Sequence, residues 1–171
     1  MPGAMRPLLI VMLVLATSCK KDPSAAEPPP AAKPAPAESK PAAAGDWMEV
    51  PAGTPLATAL ADFAAKAIDA GKKPYAYLHA SWCGPCKAIE KTHATDPKMI
   101  DAFQGTAIIT IDVDAADEKA LEAQQLPGHV LPVFYKLDRT GKPTGDRIDG
   151  GAWGDNIPAN MAPPLKAFFA K

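Results

Sequence analysis

The chain has 171 residues, 47% of them hydrophobic and 22% charged, with a formal net charge of -1. That near-neutral balance excludes a basic nucleic-acid binder, which needs an excess of Lys and Arg to attract phosphates. The 20 prolines are uneven, seven of them lying between Pro23 and Pro41, so the composition averages over unlike segments of a chain long enough for about one to one and a half domains.

The first segment is an apolar run from Leu8 to Ala16, preceded by Arg6 and followed by Thr17, Ser18 and Cys19. A membrane-spanning helix needs about 20 apolar residues, so this run has the length of a signal-peptide core instead. Small residues leading into Cys19 resemble the bacterial lipobox. The resemblance implies a signal peptide over 1–18 and diacylglycerol on Cys19 as the first residue of the mature chain. An ordinary secretory signal with a free Cys19, or a cytosolic chain, are the alternatives. Lys20 and Lys21 follow with no Asp directly after the cysteine, which resembles an outer-membrane address.

Residues Lys20 to Gly45 contain no Leu, Ile, Val, Phe, Tyr or Trp. With nothing apolar to bury beyond Ala methyls, such a segment cannot offset its ordering entropy and is expected to stay extended. Residues 19–45 therefore read as an acylated cysteine and its tether, about 80 Å long if fully polyproline-like and about 28 Å root-mean-square if flexible.

Residues 46–171 form one domain, with 13 Lys/Arg against 16 Asp/Glu and two cysteines, Cys83 and Cys86. Thr54 and Pro55 open a helix whose stripe is Leu56, Leu60, Phe63, Ala67 and Ile68, closed by Gly71. Pro74 to Ala80 reads as a strand. A helix is expected from about Cys83 past Glu90, and a short one from Asp96 and Pro97 through Phe103. Thr106 to Val113 reads as a buried strand, Asp114 to Gln125 as a helix, and Val130 to Leu137 as a strand. A turn at Asp138 to Gly141 leads to a last strand near Gly145 to Ile148. Leu165, Phe168 and Phe169 mark a C-terminal helix. This order predicts an α/β fold, a mixed sheet covered on both faces.

The chemistry is concentrated in Ser81-Trp82-Cys83-Gly84-Pro85-Cys86-Lys87. Two cysteines three apart at a helix start can close a disulfide, and the unpaired amides there stabilise a thiolate on the first sulfur. An exposed Cys83 is then the attacking nucleophile, and Cys86, one turn deeper, the resolving thiol. Half of a zinc site has the same spacing, but a structural site needs four ligands. His79, His93 and His129 are the other candidates in the domain, without a second cysteine pair.

Trp82-Cys83-Gly84-Pro85-Cys86-Lys87 resembles the active-site signature of the thioredoxin family. Lys73 to about Gly151 is most similar to the reductase-type subgroup that includes the C-terminal periplasmic domain of the transmembrane electron transporter DsbD. Lys91-Thr92-His93, Asp96-Pro97 and Leu131-Pro132 ahead of Val-Phe-Tyr carry that likeness. The resemblance implies a thioredoxin fold. It implies that Trp82, Gly84, Pro85, Leu131 and Pro132 meet the partner, Leu131 by strand-like backbone pairing. Independently, a proline lacks the N-H that a ladder requires, so Pro132 argues against an uninterrupted strand. A cis Leu131-Pro132 bond resolves the conflict, and a trans edge position is the alternative.

Thioredoxins resemble one another in a buried Asp six residues before the nucleophile, and here that position is Tyr77. A phenol with pKa near 10 is a poor base at neutral pH. Glu90, four residues after Cys86, lies on the same helical face as both cysteines. The DsbD-like subgroup has an acid at the matching place, which makes Glu90 the candidate proton acceptor, with an exposed helical Glu as the bland reading. His79 reads as a packed strand residue that could point to the site, and His93 and His129 as surface residues.

The expected protein is a monomeric, lipid-anchored, periplasm-facing thiol:disulfide oxidoreductase. It needs no organic cofactor or metal, only the redox-active Cys83-Cys86 pair. Gly84-Pro85 resembles reducing members, so its partners would be disulfide-bearing periplasmic proteins and, as electron donor, a membrane thiol-reductant transporter. A disulfide oxidase or isomerase differs from it only in redox poise, and a Cu(I)-binding chaperone would use the same two thiols.

Overall fold

The computed structural model describes residues 45–171. The signal, Cys19 and the tether up to residue 44 lie outside the described residues. From Asp46 the elements are β1 (Asp46–Glu49), α1 (Leu56–Asp69), β2 (Lys73–His79), α2 (Gly84–Thr92), α3 (Pro97–Ala102), β3 (Thr106–Asp112), α4 (Glu118–Ala123), β4 (Val133–Leu137), β5 (Pro143–Asp149) and α5 (Pro158–Ala170). The strands form one sheet in the order β1-β3-β2-β4-β5. β1 and β2 run parallel to β3, whereas β4 is antiparallel to β2 and β5 to β4. This is the mixed, doubly covered sheet of the thioredoxin fold.

The central strand β2 shows why the sheet is covered on both faces. Alternate side chains point to opposite faces. Tyr75 and Tyr77 join a core with Ile89 of α2, Met99 of α3 and Leu165, Phe168 and Phe169 of α5. Ala76 and Leu78 join the opposite core with Leu60 and Phe63 of α1 and Leu121 of α4. Each large apolar side chain removed from water contributes roughly 1.5–3 kcal/mol.

Local chemistry sets the boundaries. α1 starts at Leu56 with Pro55 as its cap, one residue later than predicted. Gly71, at φ +73°, closes it: its N-H reaches the Ile68 carbonyl and that of Lys72 reaches Ala67, each at 2.9 Å, the paired bonds of a Schellman end. α4 begins at Glu118, not Asp114, because the Asp117 carboxylate caps it through the Ala120 N-H at 2.9 Å. It ends at Ala123, and Gln125 turns the chain at φ 60°. The Leu131-Pro132 bond is cis, and β4 begins at Val133, not Val130, because a proline has no N-H to give the ladder. β5 is longer than expected, running from Pro143 to Asp149.

In the turn before β5, Asp138 accepts the Thr140 hydroxyl at 2.7 Å and the Thr140 and Lys142 N-H groups at 2.8 and 3.0 Å. These bonds, the Thr140 hydroxyl first, hold its carboxyl below the usual range. α5 runs through Pro163 and Pro164. Each proline removes a helical N-H, a loss set against burial of Met161, Ala162, Leu165, Phe168 and Phe169 on one side.

Candidate active site

Cys83 stands between β2 and α2. Its N-H closes a turn onto the Ala80 carbonyl at 3.1 Å, and its own carbonyl accepts the Lys87 N-H at 3.1 Å. Its extended backbone, φ -73° and ψ 111°, makes it the N-cap of α2. Pro85 in the first helical turn has no N-H to leave unpaired. The Cys86 N-H donates to Cys83 Sγ at 3.4 Å, so the sulfur occupies the place of a capping oxygen, where amide dipoles stabilise negative charge. The two Cα atoms are 5.3 Å apart and the sulfurs are joined in a disulfide.

Cys83 is 5% exposed and Cys86 fully buried. Both cysteines are thus covered, and Cys83 is far less open than the exposed thiol expected from sequence. Leu131 and Val113 pack with Ala80 against the two cysteines. Gly84 is exposed, and a Cβ added there would meet nothing within 4 Å. The space beside Gly84 is therefore open.

Pro132 is buried at the start of β4. Its carbonyl accepts the Gly150 N-H at 3.0 Å, and a Cβ on Gly150 would lie 3.1 Å from Pro132 Cδ. Trp82 is 66% exposed, with its indole N-H on Asp114 Oδ2 at 2.8 Å. Val130, 47% exposed, adds apolar surface in the segment leading to Leu131. Gly150 and Asp114 were not anticipated from sequence. No sequence signal marks Asp114, since an exposed indole can donate to water, and its place beside Trp82 follows from where β3 ends.

Tyr77 fills its place with a ring, not a charge. It stacks on Phe134 at 4.6 Å between centroids and on His79 at 5.3 Å. Its hydroxyl donates to the Cys86 carbonyl at 3.4 Å. Burial, and then the charge of Glu90, push the phenol far above its ordinary value. His79 Nδ1 lies 3.0 Å from Glu90 Oε1, with side-chain exposures of 22% and 42%. The helical acid and the strand histidine, read separately from sequence, thus form one pair.

His93 is half-buried, contrary to the surface reading. Its ring packs on Trp47 at 4.2 Å and its Nδ1 lies 2.9 Å from the Glu90 carbonyl. His129 is exposed as expected. A cleft of about 640 Å³ at the C-terminal ends of β1 and β3 touches the site through His79 and carries Glu49, Asp112 and Asp117. Among the described residues no three His, Cys, Asp or Glu side chains are gathered to hold a metal ion.

No family model matches the chain. A thioredoxin from Geodia cydonium is 35% identical over 91 residues, which are 53% of this chain and 79% of that protein. Among solved structures, a mutant thioredoxin from Halobacterium salinarum is similar with 22% identity and a TM-score of 0.48, over 75% of this chain and 91% of that one. A poplar thioredoxin h gives 23% identity and a TM-score of 0.43, over 61% and 83%.

Proposed function

We propose that this chain, which belongs to the thioredoxin family and is a thiol:disulfide oxidoreductase with a Cys83-Cys86 pair, uses that pair to reduce protein disulfides in the bacterial periplasm while tethered to a membrane by acylated Cys19. The observation that carries the reading is the bonded pair at the N-terminus of α2, with the Cys86 N-H on Cys83 Sγ.

In the proposed cycle the Cys83 thiolate attacks a partner disulfide, forming a mixed disulfide and releasing one partner thiolate. The Cys86 thiolate then attacks Cys83 Sγ, which frees the second partner sulfur and leaves the Cys83-Cys86 disulfide. Two electrons pass from the dithiol to the partner. A membrane thiol-reductant transporter of the type served by DsbD-like domains would restore the dithiol. Trp82, Gly84, Pro85, Leu131 and Pro132 form the rim that a partner meets. Gly84-Pro85 supports the reducing direction, and Cys19 after small residues supports the anchor. Several acyl chains, at about 0.8 kcal/mol per buried methylene, would hold it stably.

Insulin reduction tests the activity, with Cys83→Ser expected to abolish it. The equilibrium potential tests the direction: a value near that of thioredoxin, about -270 mV, is expected, and one near that of DsbA, about -120 mV, would overturn the reductase reading. Labelling with radioactive palmitate in a bacterial host tests the anchor, with incorporation lost in Cys19→Ser. An unlabelled wild type would defeat it.

A further inference from the structure

Tyr77 leaves the resolving cysteine without a carboxylate from β2. Its hydroxyl lies on the Cys86 carbonyl at 3.4 Å, and its raised pKa removes it as a base at neutral pH. Cys86 must nevertheless lose a proton to attack, and it is fully buried.

From Tyr77 the contacts lead on to two residues, His79 and Glu90. The Tyr77 ring stacks on His79, the two planes 8° from parallel. His79 Nδ1 meets Glu90 Oε1 at 3.0 Å. Glu90 stands one helical turn beyond Cys86 on α2, on the same face. The remaining charges facing His79 are acidic: Asp112 is its register partner on β3, and Glu49 and Asp117 line the adjoining cleft. On α2 itself Lys87 is the helical neighbour of Glu90.

We propose that His79 is a positioning residue for the resolving step, holding the Glu90 carboxylate beside the Cys86 turn so that the two side chains act as one proton-holding pair. The cleft bordered by His79 gives the pair its exchange with water. In that step the Cys86 Sγ-H proton passes to the pair and the sulfur bonds to Cys83 Sγ. The bond from Cys83 to the partner sulfur breaks, and that sulfur leaves as a thiolate that is reprotonated from the pair or from water. The partner disulfide is the oxidant and the dithiol the reductant.

This rests on the dithiol chemistry of the preceding section. Its test separates the two. Reduced full-length protein is mixed in a stopped-flow with one equivalent of the aromatic disulfide dithiobis(nitrobenzoate), whose thiolate product absorbs at a visible wavelength. A first phase reports attack by Cys83 and a second reports resolution by Cys86. His79→Gln and Glu90→Gln are each expected to slow the second phase about tenfold at neutral pH. The first phase, unchanged within about twofold, shows that fold and nucleophile are intact. The double variant should be no slower than the worse single one, because the pair acts as a unit.

The deficit should narrow steadily as pH rises, because hydroxide then takes the thiol proton without help from the pair. A merely structural defect would persist at every pH. Should His79→Gln fail to fold, Glu90→Gln, on an exposed helical position, carries the same expectation, with Glu90→Asp restoring part of the rate. An unchanged second phase, or deficits that multiply in the double variant, would overturn the inference. A wild type lacking the second phase would instead overturn the dithiol cycle itself.

Discussion

Replacing Tyr77 by Phe and by Ala separates its ring from its hydroxyl. The ring is fully buried and packed against Trp47, His79 and Phe134, so Tyr77→Ala should cost about 3–5 kcal/mol, the range for truncating a buried aromatic. That is a large share of a typical stability of about 5–15 kcal/mol. The hydroxyl contributes little by comparison. Its bond to the Cys86 carbonyl is 3.4 Å long, beyond the usual O-H···O range of about 2.5–3.0 Å. Tyr77→Phe should therefore cost less than about 1 kcal/mol.

Urea unfolding of the oxidised full-length chain, followed by circular dichroism, measures both. With a slope of about 1–3 kcal/mol per molar, the Phe variant should shift the midpoint by less than about 0.3–1 M, and the Ala variant by at least about 1 M. Insulin reduction by Tyr77→Phe should stay within about twofold of wild type, because a phenol near pKa 10 or higher contributes no base at neutral pH. A Phe variant that loses more than about 2 kcal/mol, or most of its activity, would refute the assignment of Tyr77 to packing.

Alkaline pH should destabilise the fold through Tyr75, which burial, and secondarily Asp146, push from 10.0 up to about 12. The folded state holds the proton more tightly than the unfolded one, so this stability is complete below pH 10 and is lost as pH rises towards 12, about 3 kcal/mol in all. Urea midpoints that stay flat across that interval would contradict it. Gly141→Ala should cost about 2–5 kcal/mol, since Gly141 has φ +81° and an added Cβ would lie 2.6 Å from the backbone of Leu60 and Ala61. Gly145→Ala, at φ +97° with open space around it, should lose only the backbone part, about 1–2 kcal/mol, and equal losses at the two sites would refute the steric argument. Asp114→Ala releases the Trp82 indole and should lower insulin kcat/KM by about two- to fivefold while leaving stability within about 1 kcal/mol. Unchanged kinetics would show that the pose of Trp82 is irrelevant to partner docking.

The elements with strong local signals were legible in the sequence. Gly71 and Asp96 close and open helices where expected, and Pro132 announced both its cis bond and its proximity to a strand start. β1 was missed because it has four residues, of which Trp47 alone is half-buried, and its pairing with β3 is non-local. The helix expected from Asp114 starts only at Glu118, where Asp117 caps it, and Asp114 accepts the Trp82 indole N-H instead. At the site, spacing alone placed both cysteines and put Glu90 on their helical face. It could not join Glu90 to His79, because that distance depends on how α2 lies across β2. Burial of Cys83 was equally invisible, being set by Leu131 and Val113 from distant segments.

The antiparallel pairing of β2 with β4 sets Leu78 opposite Val133, so the outgoing end of one strand and the incoming end of the other share one rim. The sulfurs hang from the first and the Val130-Leu131 lip from the second. Two stretches far apart in the chain thereby meet at the cysteines. Because Leu131 packs on Cys83, any change at that lip alters the cover over the sulfur as well as the surface beside it.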